Sequence, residues 1–294
     1  MEFPNSFTII TDEVSQDLSD LVRFAREFQL PGIELRSISG RAFMDLTPAD
    51  IAEVRNTADG EGWRIYGCAT PVFKCALDDD SAIAEHLEIF RRSIDTAHSL
   101  DCDFVRVFTF LRREGKNRTW LPRVAEHMQS LREIAAGSQI RIGVENEHST
   151  IVATGPELAD LFALLPESQF GIVWDPCNIL YLKEISEDIT EQYSMVSPRV
   201  IHIHVKDCTR RSVSSEAVAA AMPIGLGEVG WRDHMPAIVQ SGYKGMLSLE
   251  THWRVQAISE EMLHLPGGYG FSQGGEEATR TCLNNLRALL PAKG

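Results

Sequence analysis

The chain has 294 residues, 44% hydrophobic and 24% charged, which excludes a disordered or fibrous protein and leaves room for one large barrel or two ordinary domains. Its 28 Lys and Arg against 42 Asp and Glu leave a formal charge of −14, a long-range field that repels phosphate backbones and anionic membrane surfaces, so nonspecific nucleic-acid binding is not expected. No window approaches the roughly 18–20 consecutive apolar residues of a membrane span, and MEFPNSFTIITDE lacks the basic segment and apolar core of a secretory signal, so a cytoplasmic setting is expected.

From the start of the chain, eight short apolar runs rich in Val, Ile and Phe each end in a polar or charged residue and precede a helix-like stretch. They are Phe7–Ile10, Gly32–Leu35, Arg64–Cys68, Phe104–Phe108, Ile140–Val144, Phe170–Trp174, Val200–Val205 and Gly245–Leu249. Their starts lie 25, 32, 40, 36, 30, 30 and 45 residues apart, room for a strand, a crossover helix and two loops, which predicts parallel pairing. Between the second and third runs, Thr47-Pro48 carries the N-cap and first-turn signature of a helix running toward Gly60. After the third run, Asp78 to Asp80 place negative charge at the positive end of a helix whose apolar stripe is Ile83, Leu87, Phe90, Ile94 and Ala97. No Gly-, Pro- or Ser-rich linker divides the chain, so the expected fold is α/β, a single (β/α)8 TIM barrel over residues 1–294. Residues 253–275 form a long insertion after the eighth run, with five glycines from Pro266 onward, expected to serve as a lid over the barrel mouth or as a contact in a homo-oligomer. Residues 276–291 close the chain as a helix with Ala278, Cys282, Leu286 and Leu289 on one face. The six cysteines, Cys68, Cys75, Cys102, Cys177, Cys208 and Cys282, make no CxxC pair and read as buried thiols.

In such a barrel the carboxyl ends of the strands converge on one cavity, so charged residues that end apolar runs are where chemistry belongs. The late runs are the most loaded: VENEH gives Glu145, Glu147 and His148; VWDPCN gives Asp175 and Asn178; HIHVKD gives His202, His204 and Lys206; LSLETHW gives Glu250 and His252. Three carboxylates in a partly desolvated cavity repel one another unless protons or a cation compensate them. Glu145, Asp175, His204 and Glu250 are therefore expected to hold one divalent metal ion, Mn2+, Mg2+, Co2+ or Zn2+. Taken singly, each would read as a solvated loop residue or a helix cap. Alternation puts His202, His204 and Lys206 on one face of the seventh strand, with His204 the ligand and His202 a layer deeper. Lys206 and Asp207 are expected at the mouth, Lys206 as a contact to a substrate hydroxyl or phosphate or as a charge partner.

ITDEVSQDL, GIELR, VEN, WDPCN, HIHVKD, GLGEVGW and GYKGMLSLE, in this order, resemble the sugar phosphate isomerase/epimerase family, the xylose isomerase-like TIM barrels, over nearly the whole chain. The resemblance implies that Glu145 and Glu250 double as proton-transfer groups and that Arg210, six residues after His204, contacts a substrate oxygen. Many members carry a histidine three residues after the strand-six aspartate; here Asn178 stands there, which can bond a hydroxyl but cannot shuttle a proton at neutral pH.

Glu34, Arg36, Lys74 and Arg106 are candidates for the early half of the rim, with Glu34 and Arg106 also readable as a buried ion pair; His148 and His252 are candidate substrate contacts. Trp231 and Trp253 read as core packing before sugar-facing walls, and the glycines of GLGEVGW do not form a nucleotide fingerprint. The expected activity is a metal-dependent isomerase or epimerase of a sugar or polyol-derived carbonyl compound, acting through an enediolate that the metal stabilises. A dehydratase or lyase on the same scaffold, such as a keto-inositol dehydratase or a carbon-glycoside cleaving subunit, is the nearest alternative. An endonuclease IV-like enzyme is opposed by the charge balance and the short ligand set, and a noncatalytic sugar-binding subunit is the remaining reading.

Overall fold

Eight parallel strands curl into a nearly closed barrel in the computed structural model of the chain, which describes residues 7–113, 117–185, 188–210, 219–256 and 268–289. They are β1 (Phe7–Ile9), β2 (Gly32–Leu35), β3 (Arg64–Ala69), β4 (Phe104–Val107), β5 (Arg141–Glu145), β6 (Phe170–Trp174), β7 (Val200–Val205) and β8 (Leu247–Leu249). The pairing runs in chain order from β2 to β8, and β8 returns to β1 with Phe7 opposite Leu247. The last seam, between β1 and β2, is held by a bridge between Ile10 and Glu34 and by Thr8 Oγ1 donating to Gly32 O at 2.8 Å.

The crossovers are α1 (Leu18–Phe28), α2 (Pro48–Glu61), α3 (Asp80–Ser99), α4 (Asn117–Ile134), α5 (Gly155–Phe162), α6 (Ile189–Val196) and α7 (Trp231–Gln240), and α8 (Gly275–Leu289) follows the last strand. The start signals read from sequence act as they should. Thr47 accepts from Asp50 N while the Asp50 side chain accepts from Thr47 N, a full capping box, and Asp79 caps α3. On α3, Ile83, Phe90, Ile94 and Ala97 are buried, and Leu87 is partly buried against the same core. Inside the barrel the ring of Phe104 fills the space beside two neighbouring strands; a Cβ on Gly67 would stand 2.3 Å from that ring, so glycine is required there.

Five strands differ from expectation by a residue or two; the first stops at Ile9 and the third runs on to Ala69. The fourth strand stops at Val107 because the backbone N–H of Phe108 turns to Val72 O, tying the loop after β4 to the loop after β3. The fifth shifts by one, to Arg141–Glu145. The eighth starts at Leu247 because the chain at Gly245 packs against the Tyr243 hydroxyl, which donates to Met246 O at 2.7 Å. All six cysteines are free and buried. The insertion at 253–275 is described only at its two ends; residues 257–267, on which the lid and contact readings fall, lie outside the described residues, as do 290 and 291 of the closing helix. No helix among the described residues is long and apolar enough to cross a membrane.

Candidate metal centre

The barrel delivers four side chains from successive strand ends to one point. Glu145 ends β5, Asp175 follows β6, His204 lies near the end of β7 and Glu250 follows β8; all four are buried. One ligand atom from each lies within 4.8 Å of the others. The two glutamates flank His204 in matching ways. Glu145 Oε1 is 3.2 Å from His204 Nδ1, and its Oε2 accepts from Arg106 Nη1 at 2.5 Å. Glu250 Oε2 is 3.4 Å from the same Nδ1, and its Oε1 accepts from Arg36 Nη1 at 2.5 Å. Each glutamate thus has an outer oxygen held by a guanidinium and an inner oxygen turned to the shared centre.

The residues present suit a cation. Asp12, Glu13, Glu34, Glu145, Glu147, Asp175 and Glu250 are all buried around this point. They outnumber the cations that answer them, Arg36, Lys74, Arg106, Lys206 and Arg254. Asp175 Oδ2 is buried with no hydrogen bond, Lys206 Nζ lying 2.8 Å away but off the bonding direction. Burial, reinforced by Glu250 and Glu145 against the opposing Lys206, pushes Asp175 up to about 6. His204 is raised well above the ordinary imidazole range because Glu34 and Glu145 outweigh its burial, so without a cation the ring takes up a proton in its place. Three carboxylates and one imidazole match a divalent ion of oxygen-preferring or borderline character.

Below this layer His204 Nε2 is 3.0 Å from Glu34 Oε1, and His202 Nε2 is 2.9 Å from Glu34 Oε2. His202 is therefore the deeper histidine, tilted against Phe104. The expected Glu34–Arg106 ion pair does not form: Glu34 serves the two histidines and Arg106 serves Glu145, since alternation along β4 aims Arg106 at the neighbouring strand end. Lys206 is not at the mouth but buried, 2.8 Å from Asp175 and 3.2 Å from Glu250, which is the charge-partner role. Asp207 is also buried; its carboxylate accepts from the N–H groups of Gly225, Gly227 and Val229 and staples the GLGEVGW loop. Trp231 is core, its indole N–H donating to Lys206 O, and Trp253 packs partly buried against the same core.

The candidate substrate contacts are distributed unevenly. Asn178 Nδ2 donates to Asn146 O at 2.9 Å and to Glu145 Oε1 at 3.3 Å, so it orients the glutamate. His148 Nδ1 is 3.0 Å from Glu147 Oε1 and its ring stacks on Tyr181. Lys74 lies 3.5 Å from the same oxygen, and against the cost of burial Lys74 and His148 bring Glu147 down to about 2. His252, 26% exposed, stands 3.3 Å from Glu250 Oε1. Arg210 turns away, donating from Nη2 to the carbonyls of Leu182 and Lys183.

Sequence reading passed over the early strand end. Asp12 and Glu13 directly follow β1, and Arg36 ties both to Glu250, with Nε donating to Asp12 at 2.9 Å and Nη2 to Glu13 at 3.1 Å. Arg254 then holds Glu13 from the other side, and Phe271 lies between the two guanidinium groups, at 4.7 and 4.9 Å. The adjacent acids of TDE after an apolar run were the same signal used for the late strands. A cavity of about 690 Å3 opens at the opposite, amino-terminal end of the barrel, lined by Arg64, Phe104, Arg141, His202 and Lys244 among others. It holds none of the converging carboxylates, so we place the chemistry at the carboxyl end.

The family described as xylose isomerase-like TIM barrel matches residues 22–267. No curated protein matches the chain. Among solved structures, the chain is similar to the IOLI protein with a binding zinc atom (14% identity, TM-score 0.73, 97% of each chain covered). It is also similar to a D-tagatose 3-epimerase-like protein (17%, TM-score 0.68, 96% of this chain and 98% of that one). A third is the 3-keto-D-glucoside 4-epimerase YcjR from E. coli (11%, TM-score 0.66, 96% and 98%).

Proposed function

Since the chain belongs to the xylose isomerase-like TIM barrel family, we propose that it is a divalent-metal-dependent isomerase or epimerase of a small carbohydrate or polyol-derived carbonyl compound. Glu145, Asp175, His204 and Glu250 hold the ion. When bound, it supplies Lewis-acid polarisation of a substrate carbonyl. The observation that carries the reading is the matched pair of glutamates on either side of His204. Each is held ionised against its burial, Glu145 chiefly by Arg106 and Glu250 chiefly by Lys206. Of such a pair, one ionised glutamate can take the proton from carbon on one face, and its partner, once it has picked up a proton from solvent, can deliver that proton to the other face. Arg36 and Arg106 fix the outer oxygens, so the inner oxygens keep their direction while the proton moves. Asn178 keeps Glu145 in place without competing for the proton. The similarity to proteins described as epimerases and to one solved with zinc supports the same reading.

Elemental analysis of the purified protein, followed by a screen of ketoses, aldoses and keto-inositols in D2O, tests it. About one divalent ion per chain and deuterium at the carbon next to a carbonyl are expected. A protein that retains no divalent metal when offered Mn2+, Mg2+, Co2+ or Zn2+, and labels no carbohydrate, is not this enzyme.

A further inference from the structure

We infer that the substrate carries a carboxylate, received by Arg106 and Lys74 beside the metal position, so that the enzyme acts on a sugar acid in preference to a neutral sugar. The inference rests on the function proposed above and names the substrate class of that same site. Arg106 is 7% exposed, yet among the described residues only its Nη1 is hydrogen-bonded, to Glu145, and its Nε has no partner. The other arginines of the site are more fully engaged. Arg36 commits Nε, Nη1 and Nη2 to Asp12, Glu250 and Glu13, and Arg254, whose Nε is likewise unpartnered, commits both Nη groups to Glu13, Thr251 and two carbonyls. A guanidinium taken out of water with donors unspent is costly unless a ligand completes it. Its planar fork of N–H groups matches the two oxygens of a carboxylate.

A second cation contacts the same aromatic ring. The Arg106 guanidinium carbon is 4.2 Å and the Lys74 ammonium 4.9 Å from the centre of the buried Phe108 ring. Arg106 meets Glu145 and Lys74 meets Glu147, two residues apart at one strand end. Of these charges the one most open to solvent is the Lys74 ammonium. The Lys74 side chain is 39% exposed, while the Glu145, Glu147 and Glu250 side chains beneath are at most 8% exposed. An approaching ligand thus meets the ammonium before the acids, on a chain whose formal charge of −14 would otherwise turn an anion away.

Calorimetric titration with gluconate and with sorbitol, the same carbon chain without the carboxylate, reads the inference directly, with the metal-supplemented protein as receptor. Gluconate is expected to bind about tenfold or more tightly, as a charge-assisted bidentate contact implies. That preference should weaken with added salt and shrink to within about threefold in Lys74→Met and in Arg106→Lys, the latter keeping the charge but losing the fork. Lys74→Met touches none of the four proposed metal ligands, so its loss of preference is not loss of the metal. Failure of gluconate to bind, equal binding of sorbitol, or a preference that survives both substitutions overturns the inference. Tighter binding of sorbitol 6-phosphate than of gluconate also overturns it, in favour of a phosphate. Deuterium exchange separates the two readings: exchange into neutral ketoses but into no sugar acid removes the acid and leaves the enzyme, whereas exchange into neither removes the enzyme.

Discussion

Asp175 divides its two oxygens between structure and chemistry. Oδ1 accepts from the backbone N–H groups of Cys177 and Asn178 and caps the short helix Pro176–Leu180, while Oδ2 is the unbonded atom of the site. The cap is made by Oδ1, and the proposed ligand role falls to Oδ2. Asp175→Asn keeps an acceptor for the cap and removes the charge, so the protein should fold and its metal affinity, measured by titration with Mn2+, should fall at least about tenfold. Because Asp175 in the metal-free protein holds its proton up to about 6, the ion must displace that proton in more acid solution. His204 gives up a proton to the ion throughout this range, so the fall in affinity should steepen from about tenfold to about a hundredfold per pH unit as the pH drops through that point, and an unchanged slope between pH 5 and 7 would remove Asp175 from the ligand set. Glu250→Gln should lower deuterium exchange by about 10²- to 10⁴-fold, the usual worth of a positioned base, with the far-ultraviolet circular dichroism unchanged. Activity within tenfold of the parent would exclude Glu250 as the base. These residues were visible in sequence because each ends an apolar run. Arg36 was visible only as a rim candidate, since nothing in the chain says that one guanidinium will bridge Asp12, Glu13 and Glu250.

At the scale of elements, short-range signals carried most of the information. Thr47-Pro48 and the spacing of Asp50 suffice to start α2, because the capping box is made within one turn. Thr47→Ala should cost about 1 kcal/mol in a urea melt and leave exchange activity unchanged, since α2 supplies no group to the site. Asp207 is the contrary case. Placed at the mouth by its position in HIHVKD, it instead folds inward to collect N–H groups from a loop some 20 residues later. The turn that brings Gly225 and Gly227 to it depends on the hairpin Asp207–Arg210 with Ala219–Met222, a long-range pairing with no local signature. Asp207→Ala leaves those N–H groups unsatisfied and should destabilise the fold by about 2–4 kcal/mol, with loss of amide protection concentrated at residues 225–229. The far end of the insertion behaves similarly. Phe271 reaches Arg36, and Ser272 donates to Asp12 O, contacts between positions more than 200 residues apart.

For the whole molecule, buried titratable groups set how stability follows pH. His234 is buried, accepts from the Trp174 indole at 3.0 Å and is held down to about 4 by its burial. A histidine depressed from its ordinary value contributes stability that is complete above about 6.5 and is lost as pH falls toward 4, here about 3 kcal/mol. Glu13 and Glu147, each brought to about 2 by neighbouring cations against burial, lose their contributions lower still, between about 4.5 and 2. Asp175 works in the other direction: raised to about 6, it costs the metal-free protein stability as pH rises through that value. A divalent cation should therefore raise the melting temperature more at pH 7.5 than at pH 5; an equal shift at both would mean that the ion binds away from Asp175. By itself the sequence determined the eight strands, their parallel order and the four side chains that end strands five to eight, because periodicity and strand-end position are local properties of the chain. Only the tertiary structure decided which charge answers which. Glu34 with two histidines, Arg106 with Glu145 and Lys206 beneath the mouth are pairings set by barrel closure, which brings residues 24 to 214 positions apart within hydrogen-bonding distance.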